Sequence, residues 1–127
     1  LIILTNDGRI TDRLLNPKYE HEKTYEITTK KPLRDNFKEK MEQGVRIEGY
    51  VTKPAQVSIL GENRFRVTIT EGKTHQIRRM VAALFNEVGD LKRTSVMNVK
   101  LGPLKQGTYR RIEGKELEIL LASIGLA

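Results

Sequence analysis

The 127 residues (14.6 kDa) are 38% hydrophobic and 31% charged, with mean hydropathy −0.47, which supplies one domain core and excludes a membrane-embedded chain. Cysteine is absent and only His21 and His75 are available as imidazoles, which excludes disulfides, thiolate nucleophiles and cysteine metal sites and leaves no HExxH pairing for zinc. The net charge is +7, and residues 63–111 hold 11 basic against 3 acidic side chains, a local excess of +8 that points to a polyanionic partner.

The chain opens inside an apolar run, LIIL, which predicts a strand over Leu1–Thr5 closed by the Asn6-Asp7-Gly8 turn, and a chain that is a fragment of a longer protein. A short helix is predicted over Ile10–Leu15, stopped by Pro17. Lys23–Thr29 alternates as a strand, with Tyr25 and Ile27 on one face. Leu33, Phe37 and Met41 recur every fourth residue, so Arg34–Gln43 reads as a helix ending at Gly44. Short strands follow at Val45–Ile47, Gly49–Thr52 and Gln56–Leu60. After a hairpin loop at Gly61-Glu62-Asn63, Arg64–Thr70 is a strand with Phe65, Val67 and Ile69 inward. Thr74–Asn86 is the strongest helix, with Thr74 as N-cap. Leu91–Leu101 gives one or two strands, Tyr109–Ile112 a last short strand, and Leu117, Leu120, Leu121 and Ile124 a closing helix. The pattern predicts an α+β fold, a mostly antiparallel mixed sheet with packed helices in one domain over residues 1–127.

Three places could carry chemistry. At about 100° per residue, Met80, Val81, Leu84 and Phe85 share a face with Ile77. Arg78 then falls at the margin of the core, and Arg79 points away from it. Arg78 either lays its stem on apolar surface or meets an anion. The turn Glu71-Gly72-Lys73 before this helix, with His75 beside it, is either an ordinary strand-to-helix turn or a phosphate contact. Tyr25, mid-strand, is either a core tyrosine or a platform for a nucleobase.

The blocks LIILTNDG, EKTYEI, TKPAQV, TEGKTHQIRRMVAALFNEV and LKRTSVMNVKLGPLKQGTYRRI, in this order, resemble the bacterial RsuA/RluB/RluE/RluF branch of the RNA pseudouridine synthases over essentially the whole chain. The resemblance implies the fold of that catalytic domain and an isomerase that turns a uridine of structured RNA, ribosomal RNA first, into pseudouridine. It implies no metal and no small-molecule cofactor. The lack of any apolar run near the roughly 18 residues of a bilayer span gives the expectation of no membrane, the absence of cysteine fits the cytoplasm, and, with nothing in the sequence pointing to an obligate oligomer, a monomer is expected. The resemblance matches Tyr25 to the tyrosine that stacks on the target uracil and takes part in proton removal. It matches Arg78 to the basic residue paired with the catalytic aspartate, and Ile77 to an apolar residue near the site. Lys73, His75 and Arg79 become contacts to RNA phosphates. The aspartate that attacks the sugar or removes one of its protons is expected upstream of Leu1, as is an S4-like RNA-binding domain, so this chain alone is expected to be inactive. Two other readings fit the charge: a non-catalytic RNA-binding module of the same fold, and a basic ribosome-associated protein.

Overall fold

The computed structural model describes residues 1–73 and 75–126. In chain order the elements are α1 (Gly8–Leu15), a single 3₁₀ turn (Pro17–Tyr19), β1 (Lys23–Thr29), α2 (Phe37–Gln43), β2 (Arg46–Ile47), β3 (Tyr50–Val51), β4 (Gln56–Gly61), β5 (Arg64–Ile69), α3 (Gln76–Ala83), β6 (Val88–Val96), β7 (Val99–Lys100) and α4 (Gly114–Ser123). Five strands form one sheet in the order β4-β5-β1-β6-β7, and β2 and β3 make a separate hairpin. The fold is α+β, as the alternation predicts, and among the described residues every strand pairing is antiparallel rather than mixed.

β1 is the centre of the sheet because its alternation serves both neighbours. Ile27 sits opposite Phe65 on β5 and Leu91 on β6, and Tyr25 sits opposite Val67. These side chains face α2 and α3, which contribute Phe37, Met41, Ile77, Met80 and Val81 to one buried cluster. The opposite face of the sheet is polar. There Thr24 and Thr68 share a hydrogen bond, and Glu26 lies between the guanidiniums of Arg64 and Arg66 at 3.5 Å each. The basic segment therefore does not present one side: Arg64 and Arg66 project away from the face that carries Tyr25.

Gly44 closes α2 at φ +108°, where an added Cβ would stand 2.5 Å from the Thr52 carbonyl oxygen. The chain then folds back on itself: Val45 and Thr52 exchange bonds through Thr52 N to Val45 O (3.0 Å) and Val45 N to Thr52 Oγ1 (2.8 Å).

Two predicted strands are irregular instead. Among the described residues, Leu1–Thr5 pairs with no strand. Its residues still alternate, Leu1 and Ile3 half-buried and Ile2 and Leu4 exposed, but apolar alternation alone cannot supply a free sheet edge beside it. Tyr109–Ile112 is held by side chains rather than a ladder. Arg110 grips both carboxylate oxygens of Glu116 and the Lys100 carbonyl, tying α4 to β7.

That clamp titrates. The Arg110 guanidinium holds the Glu116 carboxyl below the ordinary glutamate value. Its contribution is present above that ordinary value and disappears as pH falls through the lowered one. Arg110→Met is therefore expected to lower the melting temperature at neutral pH and to change it little in strong acid. Equal losses at both pH values in circular-dichroism melts would show that the pair is not the cause.

Candidate active site

Tyr25 is half-buried on the core face of β1, packed against the buried cluster that contains Ile77. Its environment depends on an irregularity in the sheet. The β1–β6 register places Thr24 opposite Ser95 but Tyr25 opposite Arg93, so Thr94 is an extra residue on β6. Such a bulge re-aims side chains by one position. Arg93 thereby shares the face of Tyr25, and Val96, three residues further on, shares the face of Lys23. The Arg93 fork donates through Nε (3.1 Å) and Nη2 (2.7 Å) to the Leu1 carbonyl oxygen. Leu1 is thus brought to the Tyr25 end of the sheet without being a strand.

The turn leading into α3 lies at the same end. Lys23 begins β1 opposite Ile69, the last residue of β5, and a Cβ built on Gly72 would stand 3.4 Å from Lys23 Nζ. Burial, and then the nearby Arg93 charge, lower the pKa of the Lys23 ammonium.

Glu71 and Gln76 brace this turn. Glu71 Oε1 accepts from Lys53 N (2.7 Å) and Gln76 Nε2 (2.9 Å), its Oε2 accepts from the Tyr50 hydroxyl, and Gln76 Oε1 accepts from Lys73 N at 3.1 Å. The bond to the Glu71 carboxylate also pushes the Tyr50 phenol above its ordinary pKa. The Glu-Gly-Lys…Gln spacing in the sequence is therefore the signature of a locked turn. Lys73 Nζ lies 4.4 Å from the centroid of the Tyr50 ring. His75 is exposed at the N-terminus of α3 in the left-handed region, φ 52°. The predicted N-cap, Thr74, lies outside the described residues.

The two arginines of α3 are reversed relative to the helical projection. Arg78 is exposed and, among the described residues, makes no ion pair. Arg79 is half-buried and donates to Glu48 on the β2–β3 turn at 3.1 Å. The helix stops at Ala83, and Phe85 turns to φ 66° and stands 66% exposed instead of completing the apolar face. Gln76 is buried in its place. The buried face then centres between Met80 and Ile77, and at about 100° per residue both arginines lie about 130° from it. Angle no longer separates them. The reach of Glu48 does.

Sequence reasoning passed over Lys23 and Arg93. The signal for Lys23 was present, since it shares the alternating face of Tyr25. The signal for Arg93 was not, because the bulge sets its direction. It also passed over Tyr109, 86% exposed between the β7 loop and Arg110. An open hollow lined by Lys100, Leu101, Leu104, Lys105 and Arg110 lies in that loop, and neither Tyr25 nor Arg78 lines it. No helix among the described residues is long and apolar enough to cross a membrane.

The site is thus a tyrosine and two cations gathered on one sheet face, at the end where the first residue and the start of a helix converge. An architecture of this kind has been solved. The chain is similar to a crystal structure of a pseudouridylate synthase at a TM-score of 0.84 and 37% identity, covering 91% of this chain and 52% of that one. Residues 1–83 match the RNA pseudouridylate synthase family, and the chain belongs to that family. It is 44% identical over 125 residues to the uncharacterized RNA pseudouridine synthase YtzG of Bacillus subtilis, covering 94% of this chain and 52% of the relative. It is 38% identical over 124 residues to ribosomal small subunit pseudouridine synthase A of Haemophilus influenzae, covering 95% and 53%. The chain spans about half the length of these curated relatives.

Proposed function

We propose that this chain is the part of an RNA pseudouridine synthase that receives the target uridine, and that the enzyme isomerises that uridine to pseudouridine in ribosomal RNA, as a monomer in the cytoplasm. The observation that carries the reading is the position of Tyr25. A half-buried ring on the core face stands beside Arg93, whose fork holds Leu1 at the same end. In the proposed reaction the uridine leaves its stack and lies against the Tyr25 ring. An aspartate upstream of Leu1 starts the chemistry at the sugar. Arg78, exposed and without an ion pair among the described residues, keeps that carboxylate ionised and oriented. Lys73, His75 and Arg79 contact RNA phosphates, Arg79 by exchanging its exposed Glu48 partner. The names of the ribosomal small-subunit relatives support the choice of RNA.

Tritium release from 5-tritiated uridine in ribosomal RNA tests the proposal. Release by a chain that includes the upstream aspartate, and none by residues 1–127 alone, is the expected result. RNA binding without release by the longer chain would favour the binding module instead. Tyr25 separates two roles in the same assay. Tyr25→Phe keeps the stacking face and loses only the hydroxyl, so RNA affinity is expected to hold while turnover falls. Tyr25→Leu loses the face too, and affinity is expected to drop on the order of tenfold, the scale of one stacked base. Equal affinities for the two variants would remove the platform role.

A further inference from the structure

Lys23 has no role in that reading, and Arg93 only holds Leu1. They come from strands far apart in the chain, yet the bulge at Thr94 turns Arg93 onto the face of Lys23 and Tyr25. Both side chains are half-buried. Among the described residues neither forms an ion pair. Glu71, on the adjoining turn, is already committed to Tyr50, Lys53 and Gln76.

Two like charges placed this way repel and lose hydration, and the attraction of an arriving anion offsets both costs. Burial first, and then the Arg93 charge, hold the Lys23 ammonium below its ordinary pKa. Among the described residues Arg93 uses only Nε and Nη2, both on the Leu1 carbonyl, which leaves the Nη1 donors for a ligand. The site is also open on one side. Gly72 carries no side chain there, and a Cβ at that position would already touch Lys23 Nζ.

We infer that Lys23 and Arg93 form a seat for the phosphate of the nucleotide whose base lies on Tyr25. The inference rests on the uridine reading of Tyr25. Lys23 stands two residues from Tyr25 on one strand face, about 6.5–7 Å along the strand, and Arg93 stands directly across from Tyr25. A base on the ring therefore brings its own phosphate between the two cations. A phosphate also suits their partial exposure, because a substrate group comes and goes and the cations must be hydrated in its absence. The seat would fix the rotation of the nucleotide about the Tyr25 ring, which stacking alone leaves free.

Titration of residues 1–127 with uridine, uridine 5′-monophosphate and uridine 3′-monophosphate, followed by NMR, tests it. The chain is expected to bind one monophosphate roughly tenfold more tightly than uridine, the scale of a charge-assisted hydrogen bond. Lys23→Met should erase that preference and leave uridine affinity unchanged. Lys23→Arg, which keeps the charge, should preserve it and so separates loss of the seat from damage to the strand. A preference that survives in Lys23→Met overturns the seat, as does a wild-type chain that binds uridine and its monophosphates equally. If neither uridine nor either monophosphate binds, the uridine reading of Tyr25 fails together with the seat.

Discussion

Arg78→Ala, in a chain extended to include the aspartate proposed upstream of Leu1, is expected to lower turnover by at least about a hundredfold while leaving the melting temperature almost unchanged, as displaced reacting groups and exposed side chains respectively predict. The two halves of this expectation have separate causes. Stability holds because Arg78 is exposed on α3 and, among the described residues, pairs with nothing that would be left unsatisfied. Activity falls because a carboxylate that has lost its guanidinium partner also loses its orientation, and small displacements of a reacting group are costly. Arg79→Ala is the internal control. It breaks the pair with Glu48, which is largely exposed, so it should weaken RNA binding modestly and leave the chemical step alone. Single-turnover rates under saturating enzyme separate the two. If Arg79→Ala slows the chemical step and Arg78→Ala does not, the roles of the neighbours are exchanged, and the half-buried arginine is the one that serves the aspartate.

The contrast between these arginines shows where the sequence was legible. Strand β1 is predicted over Lys23–Thr29 and observed with the same bounds, because its period-two pattern answers to partners on both sides. Phe65, Val67 and Ile69 are predicted inward on β5 and are buried. Helix α3 has the stronger periodicity and was read less well. Its projection assumed that Phe85 stays helical, whereas the backbone turns left-handed there and exposes the ring to Arg34, 4.7 Å from its centroid. No local signal announces that turn. The bulge at Thr94 is equally silent, and it decides which way Arg93 points. Glu71 and Gln76 differ again: both lie inside the recognised block, but their mutual bond depends on how the turn closes. Local alternation is thus readable wherever the backbone stays regular. The residues gathered around Tyr25 are set by irregular backbone, at a bulge, a braced turn and an unpaired first segment.

The largest loss of stability is expected at Phe65. Its ring is fully buried and meets Phe37 of α2 edge-on at 4.8 Å between centroids. On β5 it stands opposite Ile27 of β1 and Ile59 of β4, so it touches the middle of the sheet and the helix above it. Phe65→Ala removes the transfer energy of the ring and leaves a cavity that a five-stranded sheet cannot easily collapse, at about 3–5 kcal/mol. That is a large part of the stability of an ordinary domain. It corresponds to a drop in melting temperature of roughly 10–20 °C for a chain of this size. Phe65→Leu keeps most of the volume and gives up the edge-on contact, so its loss should be under half as large. Phe85→Ala is the matched control, the same residue type at 66% exposure, and should cost within about 1 kcal/mol. Because Ile27 lies two residues from Tyr25 on the same face, Phe65→Ala should also loosen the strand that carries the site. RNA affinity measured well below the melting transition should then fall in Phe65→Ala and hold in Phe85→Ala. Equal melting temperatures for the two variants would mean that the sheet and α2 do not share one core.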